Sequence, residues 1–100
     1  MIGSFAFEAA LWRYPGAAGW HFVTLPPDIA EEIRQIAEGV RRGFGSVRVA
    51  VTCGSSSWQT SIFPDTSSGS FVLPIKKAVR VAEHLGEGDP VRAELRLLDL

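Results

Sequence analysis

With a single cysteine in 100 residues, the chain cannot form a disulfide framework. Cys53 has no intrachain partner, so stability must come from a hydrophobic core, and a reducing cytoplasm is the expected compartment. Long apolar runs are missing as well. Nowhere do eighteen apolar residues follow one another, and Met1-Ile2-Gly3-Ser4-Phe5 lacks the basic segment and apolar stretch of a secretory leader, so neither a membrane nor export is expected. A bias of charge is the third absence. Ten basic residues against eleven acidic ones leave a formal charge of −1, unlike the clearly basic balance of dedicated nucleic-acid domains. What is present, 46% hydrophobic and 21% charged residues, is the composition of one soluble globular domain spanning 1–100.

The dominant pattern occurs twice: an extended apolar run ending in Leu-Pro, then an amphipathic helix. The first copy is Trp20 to Pro26 leading into Asp28 to Val40, and the second is Ser70 to Pro74 leading into Lys76 to Leu85. Proline lacks a donor N–H and pushes the preceding residue into extended geometry, yet fits a first helical turn, so each Leu-Pro makes a strand-to-helix junction. Alternation predicts strands at Phe5–Trp12, Trp20–Leu25, Val47–Cys53, Ser57–Phe63, Ser70–Leu73 and Val91–Leu98. The first two should form a hairpin with a long tip. In the first helix Ile29, Ile33, Ile36 and Val40 share a face, and Asp28 with Glu31 fits a capping box. In the second, Gly86 fits a left-handed stop. Six strands and two helices, mainly β, predict an antiparallel β-barrel capped by the two helices.

The second half, with its strand, Leu73-Pro74, helix bearing Val79-Arg80, and Leu85-Gly86-Glu87-Gly88-Asp89-Pro90-Val91 turn, resembles the AbrB/MazE swapped-hairpin half-barrel. The first copy departs from that pattern, since Arg41 to Gly45 lacks the Gly-Asp turn. Nearly the whole chain also resembles the domain of unknown function 1905 family. The residues that carry this are Phe5-x-Phe7 with Leu11-Trp12, Trp20-x-Phe22-Val23-x-Leu25-Pro26, Arg42-Gly43-Phe44-Gly45-Ser46-Val47-x-Val49, Trp58-x-Thr60-Ser61-x-Phe63-Pro64 and Leu73-Pro74-x-Lys76-Lys77-x-Val79-Arg80. The resemblance implies a double-split β-barrel and no established reaction; with the six strands and the repeated Leu-Pro junctions, a six-stranded, pseudo-symmetric barrel is expected.

Charge is segregated along the chain. Asp28 to Val40 carries four acids against one arginine, Arg41 to Arg80 six basic residues against Asp65, and Val81 onward five acids against two arginines. Two readings of the basic middle compete. Lys76, Lys77 and Arg80 are either a solvated helix face neutralised by Glu83, Glu87 and Glu94, or part of a functional surface. The tryptophans divide in the same way, because rings on strands commonly fill a core, yet aromatic walls with a few polar groups also build pockets.

Catalytic patterns are weak. His21 and His84 lack metal-ligand spacing, Ser55-Ser56-Ser57 reads as a turn and not a nucleophile elbow, and Gly43-x-Gly45 precedes a strand where a phosphate-cradling loop would precede a helix. Cys53 ends an apolar alternation as a small hydrophobe does, and its pairing with His21 is a question for the fold. The leading expectation is a non-catalytic binding domain without cofactor or metal. It would take a small anionic ligand or a protein segment at a barrel mouth formed by Trp20, Trp58, Thr60, Ser61, Lys77 and Arg80. A nucleic-acid regulator using Arg41, Arg42, Arg48, Lys76, Lys77 and Arg80 is the alternative, and a small cofactor-free enzyme with His21 or Glu8 as acid or base is the third. The split-barrel edges allow a monomer or a weak homodimer.

Overall fold

The computed structural model describes residues 3–16, 18–38 and 45–98. It is mainly β: β1 (Ser4–Ala10), β2 (Trp12–Arg13), β3 (His21–Thr24), α1 (Pro27–Ala37), β4 (Val47–Cys53), β5 (Ser56–Asp65), β6 (Ser70–Pro74), α2 (Lys77–Ala82) and β7 (Pro90–Leu97). The strands form one curled seven-stranded sheet in the order β1-β7-β4-β5-β6-β3-β2, and every pairing is antiparallel.

Two stretches of chain change pairing partner along their length. β5 pairs with β4 from Ser56 to Ile62 and with β6 from Phe63 to Asp65. The first predicted strand behaves similarly, but it is broken. Ser4 to Ala10 pairs with β7, whereas Trp12 and Arg13 pair with Phe22 and His21. Leu11 marks the change of partner: its N–H donates to the Asp89 carbonyl at 2.9 Å and its carbonyl accepts from Gly88 N–H at 2.7 Å. The predicted long hairpin is therefore confined to two residue pairs, and the sheet has seven strands instead of six. The cause is tertiary, because the alternation Phe5, Phe7, Ala9, Leu11 runs on without interruption.

The core sits where alternating faces converge. Val47, Val49, Val51 and Cys53 of β4 are all buried, as are Val91, Ala93, Leu95 and Leu97 of β7, each on one side of its strand. They meet Leu11, Val23, Leu25, Ile62, Phe71, Leu73 and Ile75, all at 1% exposure or less. β3 contributes its Val23 side to the core, so the opposite side with Trp20, Phe22 and Thr24 stays partly open. Ser70 is a buried polar side chain of this core, and its Oγ donates to the Leu25 carbonyl at 2.8 Å.

Both Leu-Pro junctions are present. Pro27 occupies a first-turn position of α1, and Pro26 has φ −55° and ψ 145°. No side chain among the described residues caps this helix, so the predicted Asp28–Glu31 box is not formed; a second proline in the first turn removes one donor that a box would satisfy. Ala30, Ile33 and Ala37 are buried, whereas Ile29 and Ile36 pack at the margin, and Val40 lies outside the described residues. α2 is shorter than its apolar spacing predicts. Only Val79 is buried in it, Val81 is 63% exposed, and the left-handed residue is His84 (φ 56°) rather than Gly86. Gly86 is tied instead into a turn with Asp89, whose Oδ2 accepts its N–H at 2.8 Å.

Candidate functional site

The second junction and the β3 start build a cavity of about 350 Å³. The two are locked together by Phe22 pairing with Pro74 and by Ile75 N–H donating to the His21 carbonyl at 2.9 Å. From α2 and its N-terminal edge come Lys76, Lys77 and Arg80, from β5 Trp58, Gln59 and Thr60, and from the turn into β3 Gly19, Trp20 and His21. Lys76 keeps an extended backbone (φ −68°, ψ 158°) just ahead of the helix, and Arg80 lies one turn later, so the three cations fall on neighbouring positions of one short element.

Several of these groups are held in place. Arg80 Nε donates to the Ile75 carbonyl at 3.1 Å, which leaves its terminal nitrogens for another acceptor. His21 Nδ1 lies 2.7 Å from the Gly19 carbonyl; a carbonyl only accepts, so Nδ1 carries the proton and Nε2 is the ring's other functional atom. Trp58 packs against the core, whereas Trp20 is 56% exposed with its ring stacked on Phe22 at 6.0 Å and 11°. Among the described residues, no aspartate or glutamate lines the cavity. The ion pairs among these residues are Arg34–Glu31 and Arg92–Glu8, so none engages Lys76, Lys77 or Arg80.

The structure thus brings together Trp20, Trp58, Thr60, Lys77 and Arg80 of the predicted cluster. Ser61 is not among the lining, although Gln59 on the same face of β5 is; the cross-strand partner of Ser61 is Arg48. Of the nucleic-acid set, Lys76, Lys77 and Arg80 line the cavity, Arg48 lies on β4 apart from it, and Arg41 and Arg42 lie outside the described residues. His21, Gln59 and Lys76 join the cluster from outside the expected ligand set. Lys76 had a signal in the Lys-Lys pair just beyond Leu-Pro; Gln59 had none, since it belongs to the opposite face of its strand. Trp20 is exposed, so the core reading of that ring is not met.

Displaced titrations lie away from this cavity. Glu83 was a candidate counter-charge for the lysines, but its Oε2 accepts from Ser56 Oγ at 2.7 Å and Ser55 Oγ at 3.0 Å. These bonds, Ser56's first, hold its carboxyl below the ordinary range. Burial, and secondarily the charge of Glu83, pushes the Cys53 thiol up, which suits a packed hydrophobe and not a nucleophile. A hydrogen bond from Arg92 Nε to Glu8 at 2.6 Å raises the guanidinium and engages Glu8, which is not part of the cavity lining that includes His21. Among the described residues no group of three His, Cys, Asp or Glu is placed to hold a metal ion, and no helix is long and apolar enough to cross a membrane. The lining offers cations, two indoles, an amide and a hydroxyl, a set suited to binding an anion through charge-assisted hydrogen bonds.

A family model described as a domain of unknown function (DUF1905) matches residues 7–95. The chain belongs to this family. The match runs from β1 to β7 of the DUF1905 chain and includes every residue that lines the cavity. Among curated proteins none matches the sequence.

Proposed function

We propose that this DUF1905 domain is a non-catalytic binding module, cytoplasmic and free of cofactor, that takes a small anion or the anionic end of a larger ligand in the cavity at Lys76, Lys77 and Arg80. The observation that carries this reading is the arrangement of three cations from one short element around a cavity with no acid in its described lining, with Trp20 and Trp58 as walls. The fold supports it. β1 and β2, the outermost strands of the sheet, are separated only by Leu11, and β5 changes partner much as the β1–β2 stretch does. We read this as a double-split barrel with approximate two-fold symmetry, in which β1–β2, β3, α1 and β4 correspond to β5, β6, α2 and β7; the cavity then sits at a barrel mouth.

Titration with phosphate, pyrophosphate and citrate at two salt concentrations, followed by tryptophan fluorescence, tests the proposal, since two of the three tryptophans line the cavity. Saturable binding is expected, weakened about tenfold by Lys77→Ala or Arg80→Ala, the size of one charge-assisted hydrogen bond. A salt-sensitive response to short DNA, with none to the small anions, would transfer the cations to the nucleic-acid reading. Silence toward every anion would remove the proposal.

A further inference from the structure

Beside the cationic cavity lies a groove of about 320 Å³ formed by Tyr14, Trp20, Phe22, Phe63 and Val72. Among the described residues it contains no charged side chain, and its rings are unusually open: Tyr14 is 53%, Trp20 56% and Phe63 42% exposed. Single exposed apolar side chains are normal, but contiguous ones mark a place where something binds. These rings are also pre-set relative to one another. Phe22 has Trp20 stacked on it, Tyr14 edge-on at 6.5 Å and 77°, and Trp12 tilted at 5.2 Å, and Trp12 Nε1 is fixed by donation to Thr24 Oγ1 at 3.0 Å. A platform held in this way loses little side-chain freedom when it is covered.

Trp20 belongs to both linings, to the cationic cavity on one side and to the apolar groove on the other. We infer that the ligand of this domain is an amphiphile, an anionic head of the carboxylate or phosphate-monoester class on Lys76, Lys77 and Arg80, joined to a hydrocarbon or aryl tail that crosses Trp20 into the Tyr14–Phe22–Phe63–Val72 groove. This rests on the anion reading given above and specifies what the anion is attached to. Charge decides between the occupants. A sugar-phosphate backbone tracking the rings would need cations along the groove, and its described lining holds none. A second copy docked groove to groove would meet this one across a two-fold axis, which brings the two clusters of Lys76, Lys77 and Arg80 toward each other with no acid in either described lining.

The test is calorimetric titration with straight-chain carboxylates from acetate to decanoate, below their micelle-forming concentrations, with octyl phosphate as the second head group. Affinity is expected to rise roughly two- to threefold per added methylene, since a half-open groove removes part of each group from water, and to level off once the groove is full. Tyr14→Ser with Phe63→Ser, both at exposed positions, should flatten this rise and leave acetate and inorganic phosphate binding unchanged. Lys77→Ala should weaken the whole series about tenfold and keep its slope. Octanoate against octyl phosphate distinguishes the head groups, and a slope with either supports the inference. A flat series with short anions still bound would overturn the amphiphile and leave the anion site standing. A slope that survives the double serine variant would also overturn it, as would a dimer in sedimentation that the double variant dissolves while the series stays flat. No binding of any anion would remove both readings.

Discussion

The two strand–Leu-Pro–helix copies share a junction and differ in the helix beyond it. In the first, α1 runs eleven residues, buries Ala30, Ile33 and Ala37, and carries an acidic outer face with Asp28, Glu31 and Glu32. In the second, α2 runs six residues, buries Val79 alone, and presents Lys77 and Arg80, with Lys76 at its edge, to a cavity. The same local device therefore serves opposite ends. Where the helix is long enough to bury two turns of apolar side chains, it supports the core; where it is cut short, its side chains are released from packing and become available to a ligand.

The largest effect should separate the copies directly. Ile33→Ala is expected to cost about 3 kcal/mol and Val79→Ala about 2 kcal/mol in urea unfolding, because the isoleucine loses more buried volume. Equal costs would erase the distinction between supporting and released helix. Next, Ser70→Ala should cost about 1–2 kcal/mol, since the Leu25 carbonyl at the first junction loses a buried donor supplied by the second copy. A neutral result would mean that the two junctions are held together by β3–β6 pairing alone.

A smaller, pH-limited effect is expected at the end of α2. The folded carboxyl of Glu83 titrates below its usual value near 4.5, so its contribution to stability is present above that value and is lost as the pH falls through the folded one. Wild type should then exceed Glu83→Gln in melting temperature at pH 7, with the gap closing below pH 4.5. A gap that persists in acid would assign the effect to shape and not to the charged bonds with Ser55 and Ser56. Gly54→Ala attacks the same contact, because Gly54 has φ +59° and an added Cβ would lie 1.9 Å from Glu83 Oε1. Its cost should be about 1 kcal/mol from the left-handed backbone alone, read in the same denaturation series. Arg92→Ala is the smallest, with no measurable change expected, since Arg92 and Glu8 pair in solvent.

Much of this was legible in the residues, for a physical reason. Alternation at Val47–Cys53 and Val91–Leu98 reports burial of one strand face, and in the structure those side chains are buried in turn. The break at Leu11 was not legible because it depends on backbone groups of Gly88 and Asp89, far along the chain. Ends of α1 and α2 escaped for the same kind of reason: Pro27 displaced the capping box, and His84 took the left-handed position that a glycine was expected to take. At the candidate site, Trp20, Trp58, Thr60, Lys77 and Arg80 converge as their motif neighbourhoods implied, whereas Ser61 stays outside the lining and Gln59, two residues earlier on the same face, enters it. The groove was hidden because Trp20, Phe22 and Phe63 have the composition of a core, and only the burial of Val23 on the other side of β3 shows which face is open.

The pairing of β1 with β7 joins Ser4 to Arg96 and Ala10 to Pro90. During synthesis the first strand therefore emerges well before its partner exists. Until β7 is made, Phe5 and Phe7 have no neighbour on that side, and Leu11 has no Gly88 or Asp89 to bend toward. The junctions around α1 and the β4–β5 hairpin can form on the way, but the sheet is completed only by β7, the last of its strands to be made. Closing the sheet between the first and last strands thus requires nearly all of the domain's residues to have been made, a contact of high sequence separation.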